Sequence, residues 1–234
     1  MCTTCGCGRH DHDHGHAADA GREPGRPAGL SALALRNRDF FRARRVFALR
    51  LAGDAAAVGD GLAAAAAEPA LAGRIVVVDR SRLDALGAFH AHGAPDRGAG
   101  HAPGGAPPAI DAHALGHALG RLDLGAAAVL VLVDDGPAAE PAAPDAGEHA
   151  RVVAVSPADL DAPSADGSTL ASADVLIVRR RGAEGRADDL MERAWRAAPR
   201  AQVIAWDDGR PDGPALWRAW LRAHAGGGRG GETT

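Results

Sequence analysis

All three cysteines of the chain lie within its first seven residues, Met1-Cys2-Thr3-Thr4-Cys5-Gly6-Cys7. A disulfide framework normally uses an even number of spaced cysteines, so three crowded thiols indicate metal ligands or redox groups instead. A short turn can converge the sulfurs of Cys2, Cys5 and Cys7, and Gly6 relieves backbone strain within that turn. With the N-terminal amine they form a set of three sulfurs and one nitrogen, which suits square-planar Ni(II) or tetrahedral Zn(II).

Four histidines at alternate positions follow the cysteine motif. In an extended chain, alternate side chains share a side at a spacing of about 6–7 Å, so slight bending brings pairs of them onto one ion. Neutral imidazole is a ligand that suits Ni, Zn and Cu. We therefore expect additional metal capacity, with a solvated polar linker as the alternative, from His10, His12, His14 and His16.

The overall composition excludes several function classes. The formal net charge is −4 with histidines neutral, and nucleic-acid binding usually needs a basic patch. No apolar run reaches the roughly 20 residues of a membrane-spanning helix, and the polar N-terminus does not resemble a signal peptide. We expect a cytoplasmic protein without nucleic-acid or membrane contacts. All 26 basic residues are arginine, so any function that needs a lysine must be performed here by another residue.

Between residues 30 and 225, apolar runs of strand length alternate with helical stretches. Most runs are continuous, as in strands covered on both faces, and this alternation predicts a mostly parallel α/β sheet with helices on both faces. Residues 1–29 and 226–234 are predicted to be disordered tails, the first one metal-binding. The predicted strands are Val46–Ala52, Arg74–Asp79, Ala128–Asp134, Arg151–Ser156, Asp174–Arg179 and Ala201–Trp206; the predicted helices are a segment from Leu30, Leu62–Leu71, Asp111–Leu122, Ala187–Ala198 and Pro214–Ala225.

The N-terminal motif carries a specific resemblance to a known family. Met1 to Cys7, followed by the histidine tract, resembles the N-terminus of the hydrogenase nickel-incorporation protein family HypB. Weaker similarity to that family extends over the body, at Asn37-Arg38, Phe41, Val46–Leu51, Val129–Asp134, Ala173–Val178, Leu216-Trp217 and Trp220-Leu221.

This resemblance implies a tight Ni(II) site in the cysteine motif, with Zn(II) as the alternative ion. It implies that residues 30–225 form a GTPase domain of the P-loop class, which in the family binds GTP and Mg²⁺. It also implies two partners, a HypA-like metallochaperone and the [NiFe]-hydrogenase large subunit, and it leaves a homodimer open.

The nucleotide-binding motifs of the family are degenerate in this chain. In the P-loop pattern G-x-x-x-x-G-K-[ST], backbone amides and the lysine hold phosphates while the hydroxyl binds Mg²⁺. Here Gly59 stands at the place of the lysine and Asp60, which repels phosphate, at that of the hydroxyl. The guanine-reading N-K-x-D motif falls at Arg179-Arg180-Arg181-Gly182, where Gly182 has no carboxylate. We therefore predict a degenerate P-loop at Gly53, Gly59 and Asp60, and no catalytic residue.

Two arginines are candidates for a substitute phosphate donor, because arginine can replace lysine in that role. They are Arg50 and Arg80, which lie near the degenerate loop in sequence. Asp79 and Asp134 end predicted strands at places where such folds hold Mg²⁺. Without a phosphate cradle they are interpreted as solvated carboxylates at strand ends.

A second metal site of the family, a Cys-His pair, would fall near Pro108-Ala109, where both ligands are missing. His113 and His117 are four residues apart on a predicted helix, a spacing that can chelate, although a pair of surface histidines is the more economical interpretation. Further histidines near the same predicted loop are His90, His92 and His101.

The sequence therefore predicts a HypB-like nickel metallochaperone for [NiFe]-hydrogenase maturation, in which the nucleotide-binding motifs are largely lost. One alternative is an active GTPase with a remodelled phosphate loop that drives nickel insertion. Another is a nickel or zinc storage protein without a delivery partner. The missing motif residues favour a protein that is not an enzyme.

Overall fold

The computed structural model describes residues 31–87, 110–134, 143–161, 169–180 and 187–225. The predicted metal-binding tail, the C-terminal tail, and His90, His92 and His101 lie outside these ranges. The strands are β1 Phe47–Gly53, β2 Ile75–Val78, β3 Val129–Asp134, β4 Ala150–Val155, β5 Val175–Arg180 and β6 Gln202–Asp207. The helices are α1 Ala32–Arg44, α2 Ala55–Ala66, α3 Arg80–Ala85, α4 Ala112–Leu119, α5 Ala187–Ala197 and α6 Asp212–Ala225, with a 3-10 turn at Pro157–Asp161.

The six strands form one parallel sheet in the order β2-β3-β1-β4-β5-β6. Every strand lies within two residues of its predicted position, so the predicted mostly parallel α/β sheet is confirmed. The central strands β1 and β3 are buried along almost their whole length. Burial on both faces explains why their sequences are continuous apolar runs rather than alternating ones.

Helices cover both faces of the sheet. On one face, Leu49 and Leu51 of β1 belong to a core that includes Trp217 of α6 and Val58 of α2. On the other face, Ala48 belongs to a core with residues of α1 and α4, and α5 packs over β4 and β5. Successive residues of β1 thus pack into cores on opposite faces of the sheet, as the two-residue period of a strand requires.

The first helix is anchored by one buried amide. Ser31 caps α1 by accepting a hydrogen bond from the Ala34 amide at 3.1 Å. Asn37, which is buried, donates through Nδ2 to the carbonyl oxygens of Ala112 at 2.8 Å and Ala146 at 2.9 Å. These two bonds join α1 to α4 and to the segment before β4.

Two helix predictions are corrected by the structure. Helix α2 begins at Ala55 rather than Leu62, because Asp54 caps it and its first turns are mostly alanine, the residue with the highest helix propensity. Helix α3 was not predicted at all; it is six residues long and is capped by Asp79. Within the described ranges, every helix is too short or too polar to cross a bilayer.

Candidate functional site

The carboxyl end of β1 is the place where the degenerate P-loop was predicted. Gly53 is the last residue of β1, and only Asp54 separates it from the first residue of α2. Gly53 has a φ of +119°, and a Cβ there would lie 1.9 Å from the Ala154 carbonyl oxygen of β4. The strand therefore runs directly into the helix, and residues 55–58 are helical instead of forming a loop.

The amino terminus of α2 is closed by the chain's own carboxylate. Asp54 Oδ1 accepts a hydrogen bond from the Ala57 amide at 2.9 Å, while the Asp54 amide donates to the Ala154 carbonyl at 2.9 Å. Free amides and the positive end of the helix dipole make such a terminus attractive to phosphate. Here an aspartate already occupies that position with a negative charge.

Gly59 and Asp60 lie in the second turn of α2 rather than in a loop. Gly59 is exposed, and a Cβ at this position would meet nothing within 4 Å. The Asp60 carboxylate pairs with Arg179 Nη1 at 2.6 Å. The aspartate at the place of the Mg²⁺-binding hydroxyl is therefore held by a guanidinium from the end of β5.

The arginines at the end of β5 are also engaged. Arg179 contacts Asp208 through Nε at 3.3 Å. Arg180 makes a two-pronged contact with Asp207 at the end of β6, with Nη2 to Oδ2 at 2.6 Å and Nε to Oδ1. The hydrogen bond from Arg180 lowers the pKa of Asp207 below its ordinary value, and the same bond raises the pKa of Arg180. Arg181 and Gly182 lie outside the described residues.

Arg50 lies in β1, and its side chain belongs to a buried ionic cluster. It is 2 % exposed; its Nη1 contacts Asp134 Oδ2 at 2.9 Å and its Nε contacts Glu148 Oε1 at 3.0 Å. Its Nη2 donates to the carbonyl oxygens of Ile110 and Pro144 at 2.8 and 3.1 Å. Arg50 therefore holds protein groups, and Asp134 is ion-paired rather than simply solvated.

Glu148 was not identified from the sequence, although it is the other centre of this cluster. It is 2 % exposed and also contacts Arg151 Nε at 3.0 Å. Burial alone would raise the pKa of Glu148, but the charges of Arg50 and Arg151 bring it below its ordinary value. No local pattern predicts the pairing with Arg50, because the two residues are 98 positions apart.

Asp79 has a structural role at the end of β2. Its Oδ1 accepts hydrogen bonds from the Arg82 amide and from Ser81 Oγ, both at 2.8 Å. The bond from the Arg82 amide, followed by that from Ser81, lowers the pKa of Asp79. Asp79 therefore acts as the cap of α3, and Arg80 is the first residue of that helix.

The histidine pair of the predicted helix is present on α4. The rings of His113 and His117 meet edge to face with their centroids 4.5 Å apart. Within the part of the chain that the structure describes, no group of three or more His, Cys, Asp or Glu side chains could hold a metal ion. Cys2, Cys5, Cys7, His10, His12, His14 and His16 fall outside that part, so their arrangement stays a prediction.

The comparisons with known proteins agree with this architecture. No protein-family model and no curated protein matches the chain. Among solved structures, the chain is similar to the hydrogenase maturation factor HypB from Archaeoglobus fulgidus, with 22 % identity and a TM-score of 0.58 over 81 % of this chain and 95 % of that one. It is also similar to HypB from Helicobacter pylori in complex with nickel, with 14 % identity and a TM-score of 0.59 over 86 % of this chain and 97 % of that one. The chain therefore shares the fold of the HypB hydrogenase maturation factors.

Proposed function

We propose that this chain is a HypB-like, nickel-binding metallochaperone for [NiFe]-hydrogenase maturation that works without a nucleotide. The observation that carries the proposal is a conjunction of sequence and fold. A body with the fold of HypB structures, one of them in complex with nickel, follows an N-terminal motif that resembles the HypB nickel site. Either feature alone is compatible with many functions.

Nickel is the cargo in this proposal, and the N-terminal tail binds it. The thiolates of Cys2, Cys5 and Cys7 with the terminal amine form a donor set that suits Ni(II), with Zn(II) as a competitor. The imidazoles of the histidine tract collect further ions more weakly. The body serves as a docking platform for a HypA-like metallochaperone and for the hydrogenase large subunit.

The loss of nucleotide binding is supported by the carboxyl edge of the sheet. A phosphate approaching α2 would meet the Asp54 carboxylate, which already accepts a hydrogen bond from the Ala57 amide. The chain contains no lysine that could bridge phosphates, and Arg50, Arg179 and Arg180 hold carboxylates of the protein. Each charged hydrogen bond is worth about 1.5–3 kcal/mol, so losing several raises a dissociation constant by orders of magnitude.

A nickel titration of the full chain tests the metal site. Replacing Cys2, Cys5 and Cys7 together by Ala should abolish the sulfur-to-nickel charge-transfer absorbance, whereas deleting residues 10–16 should lower only the number of weakly bound ions. Charge-transfer absorbance that survives in the triple variant would contradict the thiolate site. Nickel transfer to a hydrogenase large-subunit precursor, faster than transfer to a chelator, separates delivery from storage.

Calorimetry with GTP and Mg²⁺, with ATP as the control, tests the proposed loss of nucleotide binding. We expect no binding in the micromolar range and no turnover. A micromolar dissociation constant for GTP would instead establish the alternative, a GTPase with a remodelled phosphate loop.

A further inference from the structure

Several aspartates of the chain are followed directly by glycine. In such a pair the glycine has no Cβ to shield its amide nitrogen, so the nitrogen can reach the carboxyl group of the preceding aspartate. Three pairs lie in the described part of the chain, at Asp60-Gly61, Asp208-Gly209 and Asp212-Gly213. Two further pairs, at residues 135–136 and 166–167, lie outside it.

The pair Asp60-Gly61 is held inside α2. Gly61 is buried, and its carbonyl oxygen accepts a hydrogen bond from Trp217 Nε1 at 2.9 Å. Within a helix the backbone amides donate to the carbonyl four residues earlier, so the nitrogen of Gly61 is engaged by the ladder of α2. A reaction between the two residues therefore requires local unfolding of the helix.

The pair Asp212-Gly213 is held by packing at the start of α6. Gly213 is buried, and a Cβ there would lie 2.7 Å from the Ala205 carbonyl oxygen and 2.8 Å from Trp206 Cα. The backbone of Gly213 is therefore pressed against β6. It cannot turn toward the carboxyl group of Asp212 unless the start of the helix moves.

The pair Asp208-Gly209 lies in an open turn after β6. The Arg210 amide donates to the Asp207 carbonyl at 3.1 Å, which closes a four-residue turn with Asp208 and Gly209 at its centre. Both central residues are exposed. Gly209 has a φ of +79°, and a Cβ there would meet nothing within 4 Å, so this peptide unit lies at the surface.

The carboxyl group of Asp208 is loosely held. Its Oδ1 lies 3.3 Å from Arg179 Nε, and the side chain is 44 % exposed. Asp207, one residue earlier, has instead the two-pronged contact with Arg180. Exposed ion pairs are easily broken, so Asp208 can turn its carboxyl group toward the following amide.

We propose that Asp208-Gly209 is a site of succinimide formation and of isomerisation to isoaspartate. The Gly209 nitrogen attacks Cγ of the protonated Asp208 carboxyl group, an N–Cγ bond forms, and the amide proton and the carboxyl hydroxyl leave as water. Water then opens the five-membered ring. Attack at Cγ restores aspartate, whereas attack at the α-carbonyl carbon leaves isoaspartate, so no other reactant is consumed and the mass of the chain is unchanged.

Isomerisation changes the backbone and the charge at the end of the sheet. The chain then runs through Cβ and Cγ of residue 208, and the free carboxylate is the former α-carboxyl group. This carboxylate no longer stands at the end of the Asp208 side chain, so its contact with Arg179 Nε is lost. The proposal involves neither the metal-binding tail nor nickel, so it is independent of the proposed function.

The test is incubation of the full chain in mildly acidic buffer, once folded and once unfolded in guanidinium chloride. Electron-transfer fragmentation of the peptides locates isoaspartate. In the unfolded chain the three pairs should react at similar rates. In the folded chain Asp208 should stay within about threefold of its unfolded rate, while Asp60 and Asp212 should react at least about tenfold more slowly because they must first open locally.

Two variants test the residues that control the reaction. Asp208→Glu keeps the charge but would need a six-membered ring, so the tryptic peptide 201–218 should no longer accept a methyl group from an isoaspartyl methyltransferase and S-adenosylmethionine. Arg179→Gln should accelerate the reaction at Asp208 about two- to fivefold, which corresponds to about 0.4–1 kcal/mol. Arg193→Gln, which removes an exposed pair with Asp161, is the matched control and should leave the rate unchanged.

The proposal is overturned if Asp208 of the folded chain reacts no faster than Asp60 and Asp212. It is also overturned if peptide 201–218 of Asp208→Glu accepts methyl groups as the unaltered peptide does, because the isoaspartate would then lie at Asp207 or Asp212. Since none of these measurements depends on nickel, a failure here leaves the metallochaperone proposal intact.

Discussion

Two arginine clusters associated with the sheet differ in how far their side chains are exposed to water. The cluster around Arg50 is buried, and the Arg50 and Glu148 side chains are 3 % and 2 % exposed. The cluster at the end of β5 is partly open to water, with Arg179 18 % and Asp60 42 % exposed. Water screens the second cluster more than it screens the Arg50–Glu148 pair, so similar contacts have different energetic weight.

This difference in exposure predicts which ion pairs the fold requires and which can be removed at little cost in stability. In the Arg50 cluster, removing one partner leaves an uncompensated buried charge. In the Arg179 cluster, water takes over from a lost partner. The first cluster should therefore determine whether the body folds, while the second only adjusts the local charge.

The largest expected effect is that of Arg50→Met. It leaves Glu148 buried with Arg151 as its remaining cationic contact and deprives the Ile110 and Pro144 carbonyls of a donor, so the free energy of unfolding should fall by about 3–5 kcal/mol. Urea denaturation measures it. The double variant Arg50→Met, Glu148→Met should recover part of the loss, because no lone buried charge remains. A loss below about 1 kcal/mol in the single variant would remove the contrast between the two clusters.

Asp54→Ala tests the closure of the amino terminus of α2 by the Asp54 carboxylate. Loss of the cap on the Ala57 amide should lower the free energy of unfolding by about 1 kcal/mol. Asp54→Asn should retain most of the stability, since asparagine caps helices equally well. If both substitutions are neutral by urea denaturation, the hydrogen bond to Ala57 does not stabilise the helix.

The pH dependence of stability reports on two neighbouring groups with lowered pKa values, His149 and Glu148. Burial, followed by the charge of Arg38, lowers the pKa of His149 below 6.5, so the unfolded chain binds a proton first and stability should fall as pH drops through 6.5. The pKa of Glu148 is below 4.5, so its contribution should be present above that pH and lost in more acidic solution.

The histidine effect can be isolated by substitution. His149 Nδ1 accepts a hydrogen bond from the Ala48 amide at 3.1 Å, and the side-chain oxygen of His149→Asn can accept the same bond. Thermal unfolding of this variant should show a smaller decline between neutral pH and mildly acidic pH than the unaltered chain. An identical pH profile would assign the decline to other groups.

The smallest expected effect is that of Arg179→Gln. It removes contacts to Asp60 and Asp208 that are exposed to water, so stability should change by less than about 1 kcal/mol. The same urea series that measures Arg50→Met provides the comparison. A loss as large as that of Arg50→Met would mean that the two clusters are equivalent.

The sequence predicted the sheet better than the site. Strands such as β3 were identified because burial on both faces requires a continuous apolar run. The predicted start of α2 was too late because the residues from Gly53 to Gly61 were interpreted as a loop motif. Asp54 and the alanines that follow it instead form a capped helix. The Arg50–Glu148 contact depends on strand order, which is not encoded in any local pattern. The cysteine and histidine ligands were predicted from residue type and spacing, and they remain a prediction.

Because β1 runs directly into α2, restoring the residues of the P-loop motif would not restore the loop itself. Restoring the motif letters by Gly59→Lys and Asp60→Thr would place the new side chains on the second turn of a helix, with the lysine in open solvent. Point substitution cannot create the backbone that wraps a phosphate, because Asp54 is the only residue between Gly53 and Ala55. Under the proposed function, a GTP-binding version of this body would therefore require an insertion between β1 and α2.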